Sequence, residues 1–158
     1  MALELKDEIL IPASRDVVYA ALNDTAMLKA AIPGCEELIR HSATDLEAKV
    51  VLKIGPIKAR FAGRVVLDQS GAPGSFSLTG EGSGGVAGFA KGGALVTLED
   101  RGAETLLSYN ASADVGGKIA QLGNRLIAGT AKKLADQFFS DFAAAVTAQQ
   151  AADGGAVV

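Results

Sequence analysis

The pattern of apolar positions predicts one long helix near the end of the chain. Between Gly117 and about Ala148, apolar residues recur every three or four positions, which is the spacing of an amphipathic helix. Glycine costs about 1 kcal/mol against alanine inside a helix. We therefore hypothesise that Gly123 and Gly129 leave space either for close packing against a sheet or for a bound molecule. The apolar stripe comprises Ile119, Leu122, Leu126, Leu134, Phe138, Phe142 and Val146, flanked by Ile127, Ala131 and Phe139.

The first forty residues predict a strand, two short helices and a second strand. Apolar and polar residues alternate from the N-terminus until Pro12, which ends the first strand. Ser14 and Asp24 are typical N-terminal caps, because their side chains can accept hydrogen bonds from free first-turn amides. The expected elements are a strand at 2–11, helices at 15–22 and 25–31, a turn at 32–34 and a strand at 35–41.

The middle of the chain predicts an antiparallel sheet. From Glu47 onward the period is two for most of the next seventy residues, and the turns at 55–56 and 70–74 are too short for crossover helices. One face is apolar throughout, and the long helix is the only remaining element large enough to cover it. We therefore predict an α+β fold in which a curved antiparallel sheet wraps around a long C-terminal helix.

Glycines are concentrated between Gly71 and Gly93. The segment Gly80–Gly85 satisfies the G-x-G-x-x-G string of dinucleotide-binding proteins, but strand-like residues follow it where that mechanism needs a helix. Glycine inside strands is instead typical of bulges, sharp coiling or the close approach of another group. A sheet bent hard around a helix needs such positions.

Composition limits the possible functions. The formal charge of −3, with no basic cluster visible in the sequence, argues against nucleic acid as a partner. One cysteine, Cys35, cannot form an internal disulfide, and with no signal-like N-terminus it indicates a reducing, intracellular compartment. No apolar run approaches the roughly 20 residues that cross a bilayer. The expected organisation is one domain over 1–148 and a short flexible tail over 149–158.

Residues suited to catalysis or metal binding are scarce. A single His41 and a single Cys35 cannot build a metal site, and a nucleophilic constellation would have to be assembled from distant positions. The inventory favours binding over catalysis, so no catalytic residue, metal ligand or cofactor is predicted. Three acids lie on or near apolar stripes, and are either buried with shifted pKa values or, more simply, placed at the rim: Asp7, Asp114 and Asp141.

Several strings in this sequence resemble the G-subunit family of carbon monoxide dehydrogenase. They are AIPGCEEL at 31–38, KIGPI at 53–57, FAGRV at 61–65 and VGGKIAQLG at 115–123, the last followed by Phe138-Phe139. The order of predicted elements is also that of the helix-grip, START-like superfamily. The resemblance covers about residues 3–146.

The resemblance implies a non-catalytic accessory protein of a molybdenum hydroxylase of the carbon monoxide dehydrogenase type. Such a protein would hold a hydrophobic molecule, a quinone or a lipid, and help to couple the enzyme to the membrane or the quinone pool. The expected location is the cytoplasm, with peripheral contact at the cytoplasmic face of the inner membrane. Some relatives carry a C-terminal extension with a membrane-binding segment, whereas a short tail of small residues stands here. Two alternatives stay open: a cyclase- or hydrolase-like enzyme of the same superfamily, and a docking or assembly protein whose cavity is closed by side chains.

A ligand cavity is predicted between the sheet, the helix pair and the long helix. Apolar ligand sites usually combine an apolar lining with a few polar groups, and Tyr109 is the predicted polar handle. The turn Pro33-Gly34-Cys35 is the predicted entrance. The predicted ligand-binding residues are Ile32, Leu52, Phe61, Val65, Phe76, Phe89, Val96, Tyr109, Leu122, Gly123, Leu126 and Phe138.

Overall fold

The structure, a computed structural model, describes residues 2–157, and the side chains of that range up to residue 151. The elements are β1 (Ala2–Ile11), α1 (Arg15–Leu22), α2 (Thr25–Ala31), β2 (Cys35–Ser42), β3 (Asp45–Ile54), β4 (Ile57–Asp68), β5 (Ser75–Ser83), β6 (Phe89–Arg101), β7 (Glu104–Gly116) and α3 (Asn124–Val157), with short 3₁₀ helices at Gly85–Ala87 and Lys118–Leu122. The strands form one antiparallel sheet in the order β1-β7-β6-β5-β4-β3-β2. The predicted α+β helix-grip architecture is confirmed.

The sheet order explains how the helices are held. β1 and β2 are the two edge strands, so the α1–α2 pair that joins them runs from one edge of the sheet to the other. Both α1 and α2 contact α3, which also packs against β1 and β3. The long helix α3 therefore lies across the concave face of the sheet, and the helix pair covers one end of that face.

Glycine allows neighbouring strands of the sheet to approach each other closely. Gly92 on β6 pairs with Ala113 on β7, and a Cβ atom at Gly92 would overlap the backbone carbonyl of Ser112. A Cβ atom at Gly63 would come within 2.6 Å of the Glu81 carbonyl oxygen on the neighbouring strand. At these two positions only glycine leaves room for the backbone of the neighbouring strand.

The capping predictions differ in their outcome. The Asp24 carboxylate accepts hydrogen bonds from the backbone N–H groups of Ala26 and Met27, at 3.0 and 3.2 Å. Ser14 stands at the N-terminal cap of α1, but its side chain makes no capping hydrogen bond. The cap at Asp24 is therefore confirmed. Ser14 occupies the predicted cap position, but its side chain does not cap the helix.

The long helix begins later than the sequence pattern predicts. Gly117 and Gly123 have φ of 80° and 91°, and the residues between them form a 3₁₀ helix rather than the first turns of α3. The predicted start at Gly117 is wrong because these left-handed glycine conformations interrupt the helix, although the apolar spacing continues across the break. At its other end α3 runs to Val157, so most of the tail expected at 149–158 lies within this helix; residue 158 is outside the described residues.

Two groups of buried side chains form the core. The first joins β1, the helix pair, the middle of β6 and β7, and the second half of α3, with Leu98, Leu107 and Phe142 fully buried. The second lies at the opposite end of the sheet, where Ile54, Ile119 and Ile127 pack together. This arrangement leaves the middle of the concave face less completely filled.

Candidate ligand cavity

A cavity of about 350 Å³ lies between the concave face of the sheet, the helix pair and α3. No lining residue carries a charge, and the polar side chains are one tyrosine and two amides. The lining consists of Leu22, Asn23, Leu28, Ile32, Leu38, Leu46, Ala48, Val65, Leu67, Gln69, Phe76, Leu78, Ala94, Val96, Leu107, Tyr109, Phe138 and Phe139. The volume is at the lower end of the range for small-molecule sites.

The cavity exists because small inward residues face large ones. Ala94 lies on β6 between Leu78 of β5 and Ala111 of β7, in a position where a larger apolar residue would fill the space. The opposite wall is aromatic, because Phe138 and Phe139 project from α3. The Phe139 ring stacks on Tyr109 with ring centroids 5.1 Å apart. Aromatic walls of this kind are rigid and apolar, which suits a flat or chain-like hydrophobic molecule.

Two amides close one end of the cavity. The Nε2 group of Gln69 donates a hydrogen bond to Oδ1 of Asn23 at 2.7 Å. The Nδ2 group of Asn23 donates in turn to the carbonyl oxygen of Tyr19 at 2.9 Å. This pair joins the α1–α2 junction to the end of β4, so it forms a neutral polar boundary to an otherwise apolar space.

Arg40 holds this junction in place. Its Nη2 group donates to the Asn23 carbonyl at 3.1 Å, its Nε group to Oγ1 of Thr25 at 3.0 Å, and its Nη1 group to the Ala43 carbonyl at 3.0 Å. One side chain on β2 thus ties the start of α2 to the β2–β3 turn. The cation lies outside the cavity lining and acts on its shape through the backbone.

Replacing Arg40 by methionine is expected to lower the free energy of unfolding by about 1–3 kcal/mol, since the carbonyls of Asn23 and Ala43 lose their donor. The matched control is Arg101→Met, because Arg101 is exposed and, among the described side chains, pairs only with Glu99. That change should cost less than about 1 kcal/mol. Thermal melting of the two variants measures both effects, and equal melting temperatures would contradict this role of Arg40.

The Tyr109 hydroxyl is buried and has no hydrogen-bond partner among the described residues. The side chain is only 7% exposed, and burial is the main cause that raises its pKa above the usual tyrosine value, followed by the charges of Asp7 and Asp136. An unpaired buried hydroxyl costs about 1–3 kcal/mol. Tyr109 is therefore a cavity residue whose hydroxyl is buried without a partner among the described residues.

The structure brings half of the predicted ligand-binding residues together around the cavity. They come from the residue that follows α2, four strands and α3, and were predicted from the inward phase of each element. These residues are Ile32, Val65, Phe76, Val96, Tyr109 and Phe138.

The other six predicted residues lie elsewhere. Phe89 is 51% exposed because the odd-numbered residues at the start of β6 face outward. The prediction placed the inward face of this strand one residue away from where it lies. Phe61 and Leu122 belong to the second core group, and Leu126 is 39% exposed near the start of α3. The remaining two, which do not line the cavity either, are Leu52 and Gly123.

Gly123 and Gly129 do not reserve volume for a ligand. Both are exposed, and a Cβ atom at either position would meet nothing within 4 Å. The hypothesis of close packing against the sheet is wrong for the same reason. The small residues that border the cavity are instead on the strands, at Ala48 and Ala94.

The predicted entrance turn lines a second, separate groove. Pro33 and Gly34 lie with Leu52 opposite Lys133 and Gln137 of α3, around a volume of about 450 Å³. Cys35 is not part of this groove. Its thiol is half-buried and donates to the Glu37 carbonyl at 3.4 Å, and burial raises its pKa.

Sequence reasoning missed several cavity residues. Leu28, Leu38 and Leu46 line it from α2, β2 and β3, but two of those elements are too short for their apolar phase to be read securely. Asn23 and Gln69 stand at element ends, where a polar residue is ordinarily read as part of a turn. Only the fold brings those two amides together.

The three acids near apolar stripes lie at the rim and outside the cavity. Asp7 pairs with Nζ of Lys132 at 3.2 Å, and its pKa is lowered by the backbone N–H of Glu8 and then by Lys132. Asp114 and Asp141 are exposed. His41 is also exposed and pairs with Glu47 at 3.0 Å.

Two further observations concern metals and membranes. Within residues 2–151, no three His, Cys, Asp or Glu side chains are grouped so that they could hold a metal ion. In the part of the chain that the structure describes, no helix combines the length and the apolar character needed to cross a bilayer.

Solved structures of the same fold come from several bacteria. A conserved protein from Geobacillus kaustophilus is 27% identical, with a TM-score of 0.85 over 92% of this chain and 95% of that one. A START superfamily protein from Mycobacterium smegmatis is 12% identical, with a TM-score of 0.73 over 92% and 98% of the two chains. The Zhui aromatase/cyclase from Streptomyces sp. R1128 is 11% identical, with a TM-score of 0.69 over 93% and 94%. At such low identities the last two show the fold alone.

The sequence family agrees with the fold. Among curated proteins, none matches this chain in sequence. A family model, however, matches residues 8–147, which include both walls of the cavity and the strings shared with that family. The chain therefore belongs to the CoxG family, the G-subunit family of carbon monoxide dehydrogenase.

Proposed function

We propose that this protein is a non-catalytic accessory protein that holds a hydrophobic molecule in the cavity between its sheet and α3. The molecule is a quinone or a lipid, and the protein serves a molybdenum hydroxylase of the carbon monoxide dehydrogenase type by coupling it to the membrane or the quinone pool. Family membership supports the accessory role, and the fold supports ligand binding.

The observation that carries this proposal is the chemistry of the cavity lining. Its apolar walls favour a hydrophobic body, because each Å² of apolar surface removed from water contributes about 25 cal/mol. The amides of Asn23 and Gln69 offer hydrogen bonds to a neutral polar group, and the unpaired hydroxyl of Tyr109 is the third polar group of the lining. A carboxylate or phosphate would find no counter-charge in the lining, and burying it unpaired is costly.

The lining also weighs against the two alternatives. An enzyme of the cyclase or hydrolase kind would be expected to direct acids or a histidine into the cavity, whereas Asp7 and His41 lie outside it. A pure docking protein would be expected to have a core closed by side chains, whereas about 350 Å³ is open here. The enzyme hypothesis draws support from the names of structural neighbours, an aromatase/cyclase and norcoclaurine synthase, but their identities of 11–15% show the fold alone.

Native mass spectrometry of freshly purified protein, followed by solvent extraction and identification of what is released, tests the proposal. We expect a population heavier than the bare chain, from which a neutral, hydrophobic molecule can be extracted. A single species at the mass of the bare chain, unchanged after incubation with a short-chain quinone or a long-chain alcohol, would overturn it.

A further inference from the structure

One end of the molecule combines exposed apolar side chains with unpaired cations. Val86, in the 3₁₀ turn between β5 and β6, is 86% exposed, and Leu126 near the start of α3 is 39% exposed. We call this end the basic tip and define it by Val86, Leu126, Lys53, Lys58, Lys118 and Arg125. The four cations are exposed, and none forms an ion pair within the described side chains of residues 2–151.

Packing beneath the surface brings these residues together. Ile54, Ala87, Ile119 and Ile127 belong to one buried group, and each is a sequence neighbour of a residue in the basic tip. A Cβ atom at Gly55, in the turn that Lys53 and Lys58 flank, would lie 2.8 Å from Cδ2 of Leu126. The β3–β4 turn, the Val86 loop and the start of α3 therefore meet at one place.

The segments that supply the cations of the basic tip contain no acidic residues, although the whole chain is negatively charged. The formal net charge is −3, yet residues 48–66 and 115–135 contain no Asp or Glu. These segments supply the cations of the basic tip from positions too dispersed in sequence to form a visible cluster. The N-terminus of α3 also lies here, and its backbone dipole adds partial positive charge.

We propose that the basic tip is a docking surface for an anionic lipid bilayer, with Val86 entering the headgroup region and the cations contacting lipid phosphates. Gly85 and Gly88, with φ of 63° and 129°, form the turn on which Val86 protrudes. A protruding aliphatic side chain among lysines suits a bilayer interface. The centre of a protein interface depends instead on aromatic or arginine anchors seated in pockets.

The inference rests on the proposed function, in which the protein works beside a membrane, and it names the surface that meets that membrane. The groove between Pro33 and α3 also reaches Lys53 and Gly55, so a membrane at the basic tip would lie against one end of that groove. Membrane docking at the tip does not require the cavity to be filled. The two can therefore be tested separately.

Co-sedimentation with vesicles tests the surface. We expect the protein to bind vesicles of phosphatidylcholine mixed with phosphatidylglycerol, to bind pure phosphatidylcholine vesicles far less, and to be released by salt. Val86→Ser and the double variant Lys118→Gln/Arg125→Gln should each reduce binding to the mixed vesicles by roughly tenfold. The matched controls are Val66→Ser, exposed on the outer face of β4, and Lys6→Gln/Arg101→Gln, which removes the same charge elsewhere.

Two results would overturn the inference. One is that the wild-type protein does not bind mixed vesicles at low salt. That result is also the one expected if the basic tip binds an acidic protein and not a membrane. The other is that the control variants lose binding as much as the tip variants do. Native mass spectrometry on the same samples separates the two proposals: retained hydrophobic ligand without vesicle binding refutes the docking surface alone.

Discussion

Replacing Gly34 by valine is expected to destabilise the protein by about 3 kcal/mol or more and to lower its melting temperature by roughly 10 °C. Gly34 has φ of 73°, which a β-branched residue adopts only with strain. A Cβ atom there would also overlap the carbonyl oxygen of Val51, and the Gly34 carbonyl accepts a hydrogen bond from the Val51 N–H at 2.9 Å. The turn between α2 and β2 would have to move away from β3.

Gly102→Val is the matched control for this prediction. Gly102 has nearly the same φ, 72°, but a Cβ atom there would meet nothing within 4 Å. Its valine variant therefore carries the backbone strain without the overlap. Thermal melting should show the larger loss for Gly34→Val, and equal losses would contradict the overlap with Val51.

Replacing Ala94 by leucine is expected to weaken the binding of a hydrophobic fluorescent probe at least tenfold while leaving the melting temperature unchanged or raised. Ala94 lines the centre of the cavity, so a larger side chain enters open volume and does not overpack the core. The added apolar surface is buried, which favours folding by about 25 cal/mol per Å². A probe titration and a thermal melt on the same sample measure both effects.

Ala62→Leu makes the same chemical change on the exposed, outer face of β4, two strands away from β6 in the sheet. It should bind the probe as the wild type does. If Ala94→Leu retains full binding, or if both variants lose it equally, the probe does not occupy this cavity.

Much of the fold could be predicted because its signals are long. The alternation from Glu47 onward and the apolar stripe of α3 each extend over many residues, so single exceptions do not hide the period. The start of α3 was predicted wrongly because Gly117 and Gly123 adopt left-handed conformations while the apolar spacing runs on. A helical pattern cannot report such a break, since glycine is also tolerated inside helices.

The site was predicted less completely, because it depends on strand phase and on contacts between distant segments. Val65, Phe76 and Val96 lie in the middle of long strands, where the inward face is clear, and all three line the cavity. Phe89 is the first residue of its strand, where a shift of one residue reverses the face. The Asn23–Gln69 pair joins residues 46 apart in sequence, and no local pattern predicts it.

The most direct test of the central claim is a crystal structure of the protein with a brominated long-chain alcohol. Bromine can be located by its anomalous scattering, so the position of the chain is read directly. We expect bromine between Phe76, Tyr109 and Phe138, with the hydroxyl group of the alcohol near Tyr109 or the Asn23–Gln69 pair. Bromine bound only on the outer surface, with the cavity closed by its own side chains, would contradict the claim that this protein holds a hydrophobic ligand between its sheet and its long helix.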